Sequence, residues 1–327
     1  MKQLGIILLG SICFWSLFSA GQMEVTFAAE KVTLRVGYLP LLPQLPLIVS
    51  YENDRMSFSH IDLRLDKYNS FTALEAAFRV KAIDAASIPV PIALSIAADD
   101  PNIKVLGTCH IGGSRLVAGT PGGLESVRGK LIGVPGFDSS ENLMLDKVLQ
   151  EVKLRCGIDY RVIEAPFNTA IDNLKAKELD ALFLPEPFGT MAEKEKIAVA
   201  VEGQKGRLTG TLTTILVIRT DVLESNPAGV EEWLKSLVNA CRFIEKDVTG
   251  SGAKQTAVMQ TSYFHFPQEI VIESLINRRG DLKFDHFIPD PNEIKILFDL
   301  ATQAKLINKS IDFNRLIHVD LMKRITQ

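Results

Sequence analysis

VRGKLIGVPGFDSSE, residues 127–141, decides how the rest of the chain is arranged. Leu131 to Val134 is a short apolar run of strand type. Pro135 and Gly136 end it, one lacking the N–H that a ladder needs and the other admitting turn dihedrals. Phe137-Asp138-Ser139-Ser140 leads into a helix expected from about Glu141 to Val152. Asp138, Ser139 or Ser140 caps that helix, and its free first-turn N–H groups face whatever lies at the strand end. A capped strand–turn–helix is an ordinary unit on its own. It becomes half of a binding site only when a second surface opposes it.

Working outward, the same rhythm recurs on both sides. Lys31 to Tyr38, Ile61 to Leu65, Ala85 to Ile88 and Lys104 to Thr108 read as strands, with helices expected over Pro46 to Asp54, from Ser70 or Thr72 through Arg79, and up to Ala98. Arg115 to Ala118, Tyr160 to Ile163, Ala181 to Leu184, Ile197 to Val201 and Thr211 to Ile218 continue the series around a helix from about Thr169 to Lys177. Strands followed at short spacing by helices indicate parallel βα units, with ligand loops at the carboxyl ends of the strands. Beyond Arg219 the period changes to helical. Val230, Trp233, Leu234, Leu237, Val238, Cys241 and Ile244 share one face of Pro227 to Lys246, and further helices are expected over Pro267 to Arg278 and Pro291 to Ile307. That region has no sheet of its own, so it is expected to cover the first unit.

Composition narrows the function classes. A length of 327 residues suffices for two ordinary domains, and a net charge of −3 without a dense Lys/Arg run gives no footprint for nucleic acid. Residues 1–29 read as a signal peptide: Lys2, an apolar stretch from Leu4 to Phe18, then small residues around Ser19-Ala20-Gly21 or Thr26-Phe27-Ala28-Ala29. Export to the periplasm is expected, with a retained membrane anchor as the alternative. The mature chain would keep Cys109, Cys156 and Cys241, an odd set that forms neither a disulfide framework nor a metal motif. Five scattered histidines and the lack of a Gly-rich Lys-Ser/Thr loop point to no metal and no cofactor.

The strand-end loops supply the candidate ligand-binding residues. These are Leu42, Pro43 and Gln44; Asn69 and Ser70; Ser87, Ile88 and Pro89; and His110 from the first unit. Phe137, Asp138, Ser139 and Ser140, then Glu186 and Phe188, then Thr211 and Thr213 come from the second. Hydroxyls, an amide, an imidazole, a carboxylate and two aromatic rings suit a small polar solute enclosed between two bodies. Each has a plainer use: Ser139 and Ser140 as caps, Glu186 at a helix start, His110 as a structural hydrogen-bonding group. A Ser139–His110–Glu186 grouping would be needed for nucleophilic catalysis, and the spacing gives no geometry for it, so no catalytic residue is assigned.

VTLRVGYLPLLPQLPLIV (32–49), ALEAAFRVKAIDAASI (73–88), KVLGTCHIGGSRLV (104–117), VRGKLIGVPG (127–136), LDALFLPEPFG (179–189) and VIRTDVLESNP (217–227) together resemble the periplasmic substrate-binding proteins of ABC importers for nitrate, sulfonate, taurine, bicarbonate and pyrimidine thiamine precursors. The resemblance implies an α/β fold of the type II periplasmic-binding kind: two lobes joined by hinge strands, with a helical C-terminal region packed on lobe one. Lobe one would comprise residues 30–115 plus 219–327 and lobe two residues 116–218. It implies a soluble, monomeric mature protein that binds a small-molecule ligand and meets an ABC permease, with an enzyme on the same scaffold or a periplasmic sensor as alternatives. Nitrate and bicarbonate binders of this kind carry a Trp in the loop held here by Asn69-Ser70-Phe71, whereas this chain has only Trp15 and Trp233, so the ligand stays open between an uncharged and an anionic organic molecule.

Overall fold

The computed structural model describes residues 31–327; the expected signal peptide lies outside them. The first half of the chain alternates β1 (Val32–Tyr38), α1 (Leu45–Asp54), β2 (Ile61–Lys67), α2 (Phe71–Arg79), β3 (Ala85–Pro89), α3 (Val90–Asp99) and β4 (Ile103–Gly107). After a crossing come β5 (Ser114–Ala118), β6 (Leu131–Val134), α4 (Ser140–Glu151), β7 (Arg161–Glu164), α5 (Ala170–Lys175), β8 (Ala181–Pro185), α6 (Phe188–Lys194) and β9 (Val199–Ala200). The chain then returns through β10 (Thr214–Arg219). It ends in α7 (Thr220–Ser225), α8 (Pro227–Gly250), α9 (Lys254–Met259), α10 (Gln268–Ile276), α11 (Pro291–Gln303), α12 (Phe313–Leu316) and α13 (Asp320–Thr326).

Two five-stranded mixed sheets result, ordered β2-β1-β3-β10-β4 and β7-β6-β8-β5-β9. In each, one antiparallel strand is the one that has just crossed over: β5 pairs Ser114 with Pro185 in the second sheet, and β10 pairs Thr214 with Pro89 in the first. Each crossing therefore delivers its strand beside the carboxyl end of a parallel partner, and the loops at those ends face one another. The run Thr211 to Ile218, read from sequence as the close of lobe two, hydrogen-bonds between β3 and β4 in the first sheet from Thr214 onward. The reason is its burial. Thr214 to Ile218 is covered on both faces, which only an inner strand with a neighbour on each side achieves.

The helical tail packs where its apolar face dictates. Val230, Trp233, Leu234, Leu237, Cys241 and Ile244 of α8 join Leu34, Val36, Leu45 and Ile48 in one core on the first sheet. Across the first sheet's other side, Ile294, Leu297 and Ala301 of α11 share a second core with Ile92 and Ile96 of α3. That second core continues into the other lobe through Leu143, Phe167, Leu184 and Phe188, so the two lobes meet along an apolar seam. Among the described residues no helix is long and apolar enough to cross a membrane.

Candidate functional site

The candidate site lies where the loops after β1, β3, β6 and β8 converge. After β1, Leu42 to Gln44 form a single buried helical turn preceded by Leu41 in an extended conformation. Gln44 fixes this turn, its Oε1 accepting from the Leu39 N–H at 2.8 Å and its Nε2 donating to the Ser87 carbonyl at 3.2 Å. Leu42 then donates its backbone N–H to the Glu186 carbonyl of the other lobe at 2.9 Å. The loop after β1 therefore touches the loop after β8 directly.

A chain of hydroxyls runs behind it. Ser87 Oγ lies 3.0 Å from Thr214 Oγ1, and His110 Nε2 lies 2.7 Å from the same oxygen. His110 Nδ1 is 3.2 Å from the Gly112 carbonyl, an acceptor only, so Nδ1 carries the proton and Nε2 accepts from Thr214. Burial lowers the imidazole pKa to about 4, and the ring is neutral. His110 and Thr214 flank the outgoing and returning crossings, and both nitrogens of the ring are engaged in holding the two together.

On the opposing lobe, Ser139 caps α4: its Oγ accepts from Asn142 N–H at 3.1 Å and donates to the Gly136 carbonyl at 2.7 Å. Ser140 reaches across, donating to the Thr213 carbonyl at 2.6 Å. Phe137 is about half exposed at the tip of the turn, and Asp138 beside it is raised by burial and then by Glu75 of the first lobe. Glu186, fully buried, receives Arg115 Nε at 2.7 Å and the Thr190 N–H at 3.1 Å. Arg115 also pairs with Glu193 at 2.8 Å; burial opposes its charge, but the two carboxylates more than offset it and raise its pKa.

The seam itself is aromatic. Phe167 and Phe188 stack at 5.5 Å between centroids, and Phe71 and Phe266 of the first lobe meet them edge-on, each at 6.0 Å. Of the expected residues, Leu42, Pro43, Gln44, Ser87, Ile88, Pro89, His110, Ser140, Glu186, Phe188 and Thr213 come together at this junction, all buried. Ser70 caps α2 through the Ala73 N–H, with Asn69 exposed beside it. Thr211 lines a separate cavity of about 210 Å³ with Met144, Arg207, Glu293 and Leu297. Ser139, His110 and Glu186 each bond to other partners and not to one another, so they form no triad. Among the described residues no group of three or more His, Cys, Asp or Glu is placed to hold a metal ion.

Three residues of this junction escaped the sequence reading: Glu141, Arg115 and Phe167. Glu141 is buried with its Oε1 accepting from Ser114 Oγ at 2.8 Å. Its place in the first turn, two residues after the Ser139 cap, was a usable signal. Arg115, inside a strand, carries a charge that needs a partner once buried, and Glu186 was already in view.

Residues 27–258 match the model of the NMT1-like family. The chain belongs to that family. Its fold is shared by a zinc-bound ligand-binding component of an ABC-type import system from Staphylococcus aureus (18% identity, 90% of this chain and 99% of that one, TM-score 0.77). It is shared also by the periplasmic nitrate-binding protein NrtA of Synechocystis (14%, 91% and 89%, 0.79) and by the alkanesulfonate-binding protein SsuA of Xanthomonas axonopodis (16%, 89% and 100%, 0.73). Among curated sequences it is similar to the nitrate import ATP-binding protein NrtC of Synechocystis, 22% identical over 66% of this chain and 35% of that protein. The bicarbonate transport ATP-binding protein CmpC of Synechococcus elongatus is also 22% identical, over 74% of this chain and 40% of that protein. The chain thus matches well under half the length of these curated relatives.

Proposed function

We propose that this member of the NMT1-like family is the extracytoplasmic solute-binding component of an ABC import system, capturing a small polar organic solute between its lobes and presenting the closed form to a permease. The observation that carries the reading is the junction at Leu42–Glu186. There two sheet edges, joined by the crossings before β5 and before β10, meet through hydrogen bonds and ring edges instead of through a continuous sheet. Such a junction parts by small backbone rotations at the crossings and closes again over a solute, excluding water from the polar groups behind it. The nitrate, bicarbonate and sulfonate named for its relatives support the class of small-solute carrier, and the residues here set its own preference.

Thermal unfolding of the purified chain against a panel of small organic acids, sulfonates, amines, amidines and heterocycles tests the proposal. A concentration-dependent rise in midpoint with at least one class is expected, since a ligand that binds only the folded state stabilises it by mass action. A folded chain that responds to none of them would count against it.

A further inference from the structure

We propose that Cys109 and Cys241 form an intramolecular disulfide, a cross-link that fastens the outgoing crossing to the tail helix α8 and leaves Cys156 as the free thiol of the three described cysteines. The inference goes beyond solute binding and stands whatever the solute is. Cys109 lies in the irregular stretch between β4 and β5, and Cys241 lies on the buried face of α8. Both belong to the core on the first sheet, with Leu106, Leu237 and Phe284 around them. The Cys241 thiol donates to the Cys109 carbonyl at 3.4 Å, a direct contact between residues 132 apart in sequence. Its pKa is pushed up by burial first and then by the Cys109 thiol beside it. A bridge requires the two sulfurs to close to about 2.05 Å, and Cys109 sits where a small backbone adjustment disturbs no strand ladder. Cys156 stands exposed ahead of β7, in the segment leading to the other sheet.

The chemistry is a two-electron oxidation, and a small disulfide such as oxidised glutathione is the oxidant. Cys109, 9% exposed where Cys241 is wholly covered, is the thiol that such a molecule reaches. Its thiolate attacks one sulfur of the small disulfide, releasing the first small thiol and leaving a mixed disulfide on Cys109. The Cys241 thiolate then attacks the Cys109 sulfur and releases the second small thiol. The protons given up by the two cysteines end on the two released thiols. Burial keeps the Cys241 thiol protonated in the folded chain, so closure is slow there and faster while α8 is still docking. A chain working outside the cytoplasm folds among such oxidants. The loop closed by the bond contains every strand of the second sheet, together with the returning strand β10. The cross-link therefore ties off the second lobe at its base, on the side of the first.

The test is to unfold and refold the full chain with oxidised glutathione present, then unfold it without reductant, alkylate with iodoacetamide and map the peptides by mass spectrometry. The peptides carrying Cys109 and Cys241 are expected to be joined and lighter by the two thiol hydrogens, with Cys156 alkylated. A sample reduced beforehand should carry the alkyl group on all three. The thermal midpoint of the oxidised chain should exceed that of the reduced chain by roughly 4–8 °C, since the bond constrains a long loop of the unfolded state. In Cys109→Ala the oxidant should no longer raise the midpoint. Should that variant fail to fold, the peptide map of the parent decides alone. Alkylation of Cys109 and Cys241 in the oxidised chain, pairing of either with Cys156, or a glutathione adduct on Cys109 that never gives way to the joined peptides overturns the inference. Glutathione supplies the oxidant in the tube, so none of these results bears on the solute panel or on the binding-protein reading.

Discussion

Arg115 shows how one buried charge organises this molecule. Its guanidinium, nearly inaccessible, joins β5 to the start and the far turn of α6 through Glu186 and Glu193. Replacing it by methionine would strand Glu186 without a cation in a site water does not reach. Arg115→Met is expected to lose about 3–5 kcal/mol in urea unfolding, and adding Glu186→Gln should restore a large part of it. Restoration separates the unpaired charge from simple loss of packing. His110 gives the acid limb of stability a definite sign. Its folded pKa, lowered by burial to about 4, lies below the ordinary 6.5, so the unfolded chain binds the extra proton between those values. Stability is present above pH 6.5 and falls as the pH drops toward 4, by about 3 kcal/mol for this group alone. Glu141, raised by burial, acts in the opposite sense, gaining stability as it protonates. His110→Gln should flatten the loss between pH 6.5 and 4 in denaturant titrations without changing the Glu141 contribution.

At the scale of elements, the crossing between β4 and β5 is held by backbone that tolerates no side chain. Gly280, at a φ of +66°, hydrogen-bonds through its carbonyl to the N–H groups of Gly113 and Gly210, the two sides of the junction. A Cβ there would lie 2.9 Å from the Gly113 carbonyl carbon and 3.0 Å from Ser114 backbone atoms. Gly280→Ala is therefore expected to destabilise by at least the 1–3 kcal/mol typical of about one strained residue, read as a lowered thermal midpoint, whereas alanine at Gly129 on the surface meets no neighbour and should show only the positive-φ penalty. All ten strands were legible in the sequence because alternation and Pro/Gly punctuation mark their ends, as Leu131–Val134 before Pro135 shows. Which sheet takes β10 was not, since a run buried on both faces fits any inner position and only the pairing with Pro89 decides it. The short helices α7 and α9 also escaped, because each is only six residues long and cannot display a period. Among the site residues, the loop positions were readable from strand ends. Their partners were not, because Ser114–Glu141 and Ser87–Thr214 join residues 27 and 127 apart and nothing local specifies such pairings.

For the whole molecule, the question is whether the aromatic seam parts, and one amide reports it. The Leu42 N–H bonds to Glu186 across the lobes, while the amides of β1 bond to strands of their own sheet. If the lobes swing at the crossings, the Leu42 amide exchanges with solvent through that motion alone, at a free energy below that of global unfolding. Phe266 is half-buried and meets Phe188 edge-on from the other lobe, so Phe266→Ala removes an inter-lobe contact while leaving both sheets intact. The expected result by hydrogen exchange is faster exchange at Leu42 in Phe266→Ala, by about five-fold for an aromatic contact of about 1 kcal/mol, with unchanged protection in β1 and β3. A solute that binds between the lobes should reverse the change and slow Leu42 exchange below that of the free parent. Equal exchange at Leu42 and in the sheets, in parent and variant alike, would mean that the seam opens only when the chain unfolds. A body of that kind has no room to admit a solute, whatever polar groups lie behind the rings.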